Sequence, residues 1–412
     1  MSVKEISDER REKRYAKIKE KVAAEYGEEA ELLRKRSDYL PEYEYFLGLL
    51  GTPCTSAALR ERVGKPLAGL FCIHAPLELV DAFDLHPVKL CSGSQSVQRV
   101  AAAYLPVLMC PMLKAFIGSF DLQEESFAAY KTVLLPTTCD WVVKLPEIMG
   151  RSEENIHYLE LPHIKNGERA QGRWLEEITA LQRHLEKITG KKPDRKKLAA
   201  SIDKFTELWA ALTQLNEMKR TGKIAGVWYT VITNSFFLDS FTRWRSNLLN
   251  VLDKLADADC PLRQGKVFVA GSPIVFPNLK LLHLIEQAGM TVAADDICSS
   301  ERILPGGVAL NEHSEYGMLR ALGERYHKAC VCPTFADNDR RVNNIIRVTE
   351  TYGIKGVIFN LLKGCHPYDI EAVTIEKKLK QRGLKFLKIE TDYGKEDSQN
   401  ILTRLEAFSK TL

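Results

Sequence analysis

The sequence predicts an α/β protein: two similar doubly wound (Rossmann-like) parallel-sheet lobes, with an N-terminal helical arm and a helical bridge. Three observations predict it. Short apolar strands alternate with helical stretches in two separate segments, as in parallel sheets covered on both faces. The order of strand, helix and cysteine in the first segment returns in the second. The stretch between them has helical periodicity and few strand signals.

The arm, residues 1–65, opens with a stretch (4–36) rich in Glu, Lys, Arg and Ala. Ile18, Val22, Tyr26, Leu32 and Leu33 recur there at helical spacing, which predicts two amphipathic helices; a third covers Tyr43 to Leu50. In the first lobe, residues 66–164, "PLAGLFC" reads as a strand ending at Cys72 and "APLELVDAFDL" as a helix. "HPVKLC" is a strand ending at Cys91, and a helix follows over Val97–Tyr104. Cys110 opens "CPMLKAFIGSF", "TVLLPTTCD" is a strand ending at Cys139, and "NIHYLELP" is a fourth strand. In the bridge, residues 165–260, Leu175, Ile178, Leu181 and Leu185 repeat at three and four, and Leu198–Met218 and Asn247–Leu255 do likewise. "KKPDRKK" (191–197) reads as a solvated helix start. The second lobe, residues 261–412, runs through the strand "KVFVAGSP", a helix stopped by Gly289, and the strand "MTVAADDIC" ending at Cys298. It continues with a helix over Tyr316–Tyr326, "CVCP", a helix over Asn338–Tyr352, and the strand "GVIFNLLKGC" ending at Cys365. A helix, the strand "LKFLKIETDY" and a closing helix over Ser398–Lys410 complete it.

The duplication pairs the cysteines. Cys91 and Cys298 end corresponding strands, Cys110-Pro111 and Cys332-Pro333 correspond, and Cys139 and Cys365 end the next strands. An acid-bearing strand closes each lobe, with Glu160 in the first and Glu390 and Asp392 in the second. Ligands of such sheets bind outside the carboxyl ends of the strands. Cys72, Cys91, Cys139, Cys298 and Cys365 fall there, and Cys110 and Cys332 fall near helix N-termini, which favour thiolate. Core cysteines would have no reason to gather on one edge. About six thiolates exceed the four ligands of a zinc ion and suit one or two iron–sulfur clusters. With no C-x-x-C present, scattered core thiols and a split zinc site stay open as alternatives.

Composition narrows the setting. The 412 residues carry a net charge of +4, from 58 basic and 54 acidic side chains, so nothing argues for nucleic acid. A 45% hydrophobic and 27% charged content is that of a globular protein. The first thirty residues are charged rather than apolar, and no apolar run approaches the ~20 residues that span a bilayer. A cytoplasmic, thiol-reducing location is therefore expected, and the ten cysteines are not read as a disulfide framework. Neither a P-loop nor a G-x-G-x-x-G motif is present.

The segments "GLFCIHAPLELVDAF", "HPVKL", "LMCPMLKAFIG", "TTCDW", "KLLHLIEQAGMTVAADDICSSER", "TYGIKGVIFNLLKGCHPYDIEA" and "LKFLKIETDYGKEDSQNILTRLEAF" resemble the 2-hydroxyacyl-CoA dehydratase and benzoyl-CoA reductase subunit family. The resemblance runs from about Pro66 to the C-terminus. The extra thiols in "CSGSQ", "DDIC" and "CVC" resemble those of the double-cubane cluster proteins of anaerobes. That likeness implies a homodimer in which each chain holds an [8Fe-9S] double cubane on six cysteines. The six carried over are Cys72, Cys110, Cys139, Cys298, Cys332 and Cys365, with Cys91 and Cys330 in reserve and Cys54 and Cys260 as bystanders. It also implies an ATP-hydrolysing iron–sulfur activator that donates low-potential electrons for reduction of a small-molecule substrate. The alternative is a 2-hydroxyacyl-CoA dehydratase subunit, a lyase with a single [4Fe-4S] cluster and a partner subunit. A reading from another class is a non-enzymatic metal-storage or scaffold protein. Candidate proton donors beside the thiols are His74, His366 and Glu390. Glu78 is expected to serve the dipole of its helix, and Ser94 and Ser96 to shape a turn.

Overall fold

The structure of the protein is a computed structural model that describes residues 3–122, 129–148, 155–165, 167–257, 265–304 and 306–412. Cys260, read as a bystander, lies outside the described residues.

The arm contains α1 (Val3–Arg34), α2 (Glu44–Leu50) and α3 (Ser56–Val63). The first sheet is built from β1 (Leu67–Leu70), α4 (Leu77–Ala82), β2 (His86–Lys89), α5 (Gln95–Ala102), α6 (Pro111–Leu122), β3 (Tyr130–Pro136), α7 (Asp140–Ile148) and β4 (Ile156–Leu159). Four helices follow: α8 (Glu168–Thr189), α9 (Arg195–Arg220), α10 (Gly226–Asn234) and α11 (Phe241–Ala256). The second sheet is built from β5 (Lys266–Gly271), α12 (Lys280–Gln287), β6 (Thr291–Asp295), α13 (Glu315–Glu324), α14 (Asp339–Tyr352), β7 (Gly356–Leu362), α15 (His366–Gln381), β8 (Lys385–Thr391) and α16 (Ser398–Ser409).

Both sheets are parallel and have the same strand order, β2-β1-β3-β4 and β6-β5-β7-β8. The first strand of each sheet has neighbours on both sides, so the chain changes direction there, and the loops after β1, β3, β5 and β7 flank the switch point. Side chains alternate between faces as strand geometry requires. Val267, Val269 and Ile358 join Ala68, Leu70 and Leu134 in one core with Trp174, Leu208, Trp228 and Trp244 of the helices between the sheets. Phe268, Ala270, Val357 and Phe359 face the opposite way into a core of the second sheet, as Leu67, Val133 and Leu135 do in the first. Helices α8–α11 thus sit in the apolar layer that both sheets share.

Two glycines let the sheets' loops meet backbone to backbone. A Cβ on Gly364, which has φ +74°, would overlap the carbonyl oxygen of Leu108. A Cβ on Gly93 would overlap the carbonyl oxygen of Val275, and the Gly93 N–H donates to the Phe276 carbonyl at 3.1 Å. Each contact joins a loop of the first lobe to a loop of the second.

Some expectations are corrected. The arm's first two helices are one, because Gly27 sits inside α1 with nothing near it and costs only about 1 kcal/mol there. Helix α3 was not anticipated; its Thr55 cap and Gly64 stop frame only eight residues with a weak apolar face. The strands end before their cysteines, since Cys72, Cys91, Cys139, Cys298 and Cys365 all lie in the loops just beyond. Cys332 does not start a helix, because α14 begins only at Asp339. Asp194 caps α9 and Lys191 and Lys197 pair with Asp84 at 2.7 Å, so the basic run is a solvated helix start as read.

Gly364→Ala is expected to lower the thermal midpoint by several degrees, since the methyl meets backbone that has no room to move. Gly172→Ala, in the exposed interior of α8 with open space around it, is expected to leave the midpoint unchanged or raise it. Thermal unfolding of both variants by circular dichroism checks the contrast.

Candidate metal centre

The loops that follow the parallel strands converge where the two sheets' carboxyl ends face each other. Cys72 follows β1, Cys91 follows β2, and Cys110 immediately precedes α6. Cys139 stands between β3 and α7, Cys298 follows β6, and Cys365 caps α15 after β7. All six of these thiols, together with Cys332, line one cavity of about 90 Å³. Pro273 lines it at the place after β5 that corresponds to Cys72 after β1. Lys89, Trp141, Leu362 and Tyr368 complete much of the wall.

The thiols meet across the lobes. The Cys110 and Cys365 thiols stand close enough to couple, which holds the Cys110 thiol below its usual range and pushes Cys365 up; the backbone N–H groups of Met112 and Leu113 at the start of α6 also lower Cys110. Burial pushes the Cys139 thiol up to about 11, against the N–H groups of Val142 and Trp141 at the start of α7. Cys91 is pushed up to about 11 and Cys332 to about 12, again by burial. Cys72 is raised well above the thiol range by burial and by Cys332, Cys298 and Cys330 of the other lobe. Without metal the thiols raised by burial, Cys72, Cys91, Cys139 and Cys332, keep their protons, and a soft cation binding here must displace them.

Cationic groups stand close by. Lys89 donates to the Cys298 carbonyl at 3.1 Å, and the buried Arg302 faces Cys298, Cys330 and Cys332. Among the described residues, no three His, Cys, Asp or Glu side chains are arranged to hold a single metal ion. A polynuclear cluster makes a different demand, because each thiolate binds its own iron and the sulfurs need not converge on one point. The donor set therefore fits an iron–sulfur cluster better than a lone ion: seven soft ligands, backbone N–H groups directed at the sulfurs, and cations to offset their charge.

The family comparison agrees with this geometry. The profile described as 2-hydroxyglutaryl-CoA dehydratase, D-component, matches residues 72–412, from the first cavity cysteine to the last residue. The chain belongs to that family. Members of the family are dehydratase components, lyase-type enzymes. YjiM of Escherichia coli (strain K12), named for a dehydratase subunit, is 27% identical over 371 residues, covering 86% of this chain and 93% of its own. The (R)-phenyllactyl-CoA dehydratase beta subunit of Clostridium sporogenes is 22% identical and covers 85% and 93%. The (R)-2-hydroxyglutaryl-CoA dehydratase beta subunit of Acidaminococcus fermentans is 23% identical and covers 90% and 98%.

For this family member, the remaining candidate residues divide clearly. Of the two reserve thiols, Cys91 lines the cavity and Cys330 does not; Cys330 is fully buried, with its sulfur 3.9 Å from His74 Nε2. His74 is fully buried, and burial followed by the charges of Lys165 and Arg302 pushes it down to about 3, so its imidazole is neutral. His366 and Glu390 are exposed and do not line the cavity, because His366 begins α15 on its outer side and Glu390 pairs with Leu361 inside edge strand β8. Glu78 does more than serve its helix: it is fully buried, ion-paired with Arg325 and hydrogen-bonded by Tyr326 at 2.9 Å. Ser94 caps α5, and Glu25 of α1 accepts from the hydroxyls of Ser94 and Ser96, so the arm anchors the loop that carries Cys91. Cys54 is outside the cysteine cavity. It lines a larger one of about 400 Å³ enclosed by the arm, the first lobe, the end of α10 and loops of the second lobe, which shares Lys89 and Cys91 with the cysteine cavity. No helix among the described residues is long and apolar enough to cross a membrane.

Glu78→Gln strands the buried Arg325 guanidinium and is expected to cost about 3–5 kcal/mol. Glu390→Gln at the exposed strand edge is expected to change stability by less than about 0.5 kcal/mol. Chemical denaturation of the two variants measures both.

Proposed function

We propose that the chain is an iron–sulfur redox component, serviced by a separate ATP-hydrolysing activator, that reduces a small organic substrate at a double-cubane [8Fe-9S] cluster. The observation that carries the reading is the number of thiols at one cavity. Seven exceed what a single [4Fe-4S] cluster uses. Cys72, Cys110, Cys139, Cys298, Cys332 and Cys365 would hold the cluster, with Cys91 as the seventh thiol at the wall toward the larger cavity. When bound, such a cluster supplies one-electron transfer at low potential.

The chain's own residues prepare the place. N–H groups at the starts of α6 and α7 stabilise charge on Cys110 and Cys139, and the apolar wall of Trp141, Val142 and Leu362 keeps water out. Lys89 and Arg302 offset negative charge, which favours the more reduced state. The cavity of about 400 Å³ borders the thiols at Cys91 and is walled largely by Val22, Leu59, Val97, Phe116, Phe120 and Phe276, which suits a compact, mostly apolar molecule. The absence of a P-loop agrees with nucleotide hydrolysis on a separate protein. A second copy of the chain is the expected partner.

The names of the curated relatives favour a second reading: a beta subunit with a single [4Fe-4S] cluster, working beside another subunit on a 2-hydroxyacyl-CoA thioester. Iron and sulfide content of the anaerobically purified chain separates the two. The first reading expects about eight irons per chain without a second subunit, and the second about four irons in a heteromeric complex. Cys139→Ala and Cys365→Ala are each expected to lower the iron content, and Cys330→Ala and Cys54→Ala to leave it unchanged. Wild-type protein without iron after anaerobic purification and reconstitution would overturn both readings.

A further inference from the structure

We infer that Arg302 is a positioning residue that locks the second lobe's three cysteine loops into one arrangement. The inference rests on the metal-centre reading for its purpose, though the geometry stands apart from it. Arg302 is 8% exposed and lies in the turn after Cys298. Its guanidinium reaches three different segments. Nε donates to the carbonyl of Asp296, in the loop between β6 and Cys298. One terminal nitrogen donates to the carbonyl of Val331, between Cys330 and Cys332. The other donates to the Tyr368 hydroxyl at 2.9 Å, in the first turn of the helix that Cys365 caps. One planar fork thus bonds to the loops of Cys298 and Cys332 and to the first turn of the helix that Cys365 caps.

The arrangement needs arginine rather than a positive charge alone. The three acceptors lie in different directions, and only a planar group with donors on three nitrogens meets them together. A lysine offers a point charge on a flexible stem and satisfies one or two of them. The anchor points are themselves held. Arg341 forks onto the Asp296 carboxylate, with one contact at 3.0 Å, and also pairs with Glu371 of α15. The Asp296 carboxylate accepts from the N–H of Gly271 at the end of β5. The loops are therefore tied to the sheet, and Arg302 ties them to one another. Among the described residues of the first lobe no arginine forks onto the Cys110 and Cys139 loops, whose thiols face the N–H groups of their helix starts, as Cys365 faces that of Tyr368.

The test uses the full chain and three variants, Arg302→Lys, Arg302→Met and Tyr368→Phe, the last removing one arm of the fork. In anaerobically purified protein, Arg302→Lys is expected to fold, by circular dichroism, yet to hold half the wild-type iron or less. After chelation, timed iodoacetamide labelling read by mass spectrometry is expected to run about tenfold faster at Cys298, Cys332 and Cys365 in Arg302→Lys and Arg302→Met, as loss of a charged hydrogen bond predicts. Labelling at Cys110, Cys139 and Cys54 is expected to stay at the wild-type rate, and Tyr368→Phe to affect Cys365 most. Full recovery of iron and labelling pattern in Arg302→Lys would overturn the inference, because charge would then suffice. A uniform rise at all cysteines would overturn it too, because Arg302 would then only support global stability. Labelling does not depend on bound metal, so a wild-type chain without iron would sink the proposed function and leave this test intact.

Discussion

The contact between Gly364 and the Leu108 carbonyl sets the separation of the two lobes at the point where chemistry is expected. Both partners are backbone, so there is no side chain to rotate away, and the positive φ at Gly364 excludes any residue with a Cβ from a relaxed fit. Cys365 follows Gly364 directly, and Cys110 lies just beyond Leu108. Close approach of these two loops therefore brings the two thiols near enough to couple. Gly93 against Val275 repeats the device at the Cys91 loop, where Glu25 of the arm adds a second tether. The cavity is thus built mainly by backbone packing, and the thiols are placed by it.

Two kinds of support hold the thiols once the loops are in place. In the first lobe, cysteines stand at the starts of α6 and α7, where unpaired N–H groups face sulfur. In the second lobe, a buried network of Arg302, Arg341, Asp296, Tyr368 and Glu371 does the corresponding work. The difference follows from the chain: Cys332 sits in a long loop well before α14, so no helix start is available to orient it. The larger cavity, which meets the cysteine cavity at Lys89 and Cys91, is walled in part by residues 19–59, ahead of the segment that the family profile covers.

Much of the architecture was legible because apolar strands and helices alternate strongly. Both parallel sheets and the helical stretch between them follow from that alternation; the strand order and helix α10 do not. That the cysteines gather at the carboxyl ends of the strands was legible from the same pattern, though not that they lie in the loops beyond, and the residues themselves left zinc and scattered thiols open. Other features were hidden for identifiable reasons. Whether α1 breaks at Gly27 depends on tertiary contact, since helix propensity alone allows either outcome. That Cys91 rather than Cys330 reaches the cavity depends on which way a loop turns, and no periodicity governs a loop. His366 and Glu390 sit beside the cavity residues in sequence, but the first turn of α15 and the edge position of β8 carry them outward. Arg302 and Arg341 gave no signal, because a buried arginine and a surface one look alike until the acceptors around them are known.

The central claim is that thiolates of both lobes share one iron site. An anomalous-difference map at the iron edge, from crystals of anaerobically purified full-length chain, tests it most directly. Several iron peaks are expected inside the cavity bounded by Cys72, Cys110, Cys139, Cys298, Cys332 and Cys365. Iron confined to one lobe's thiols, or a cavity without iron in a sample that contains the metal, would contradict it.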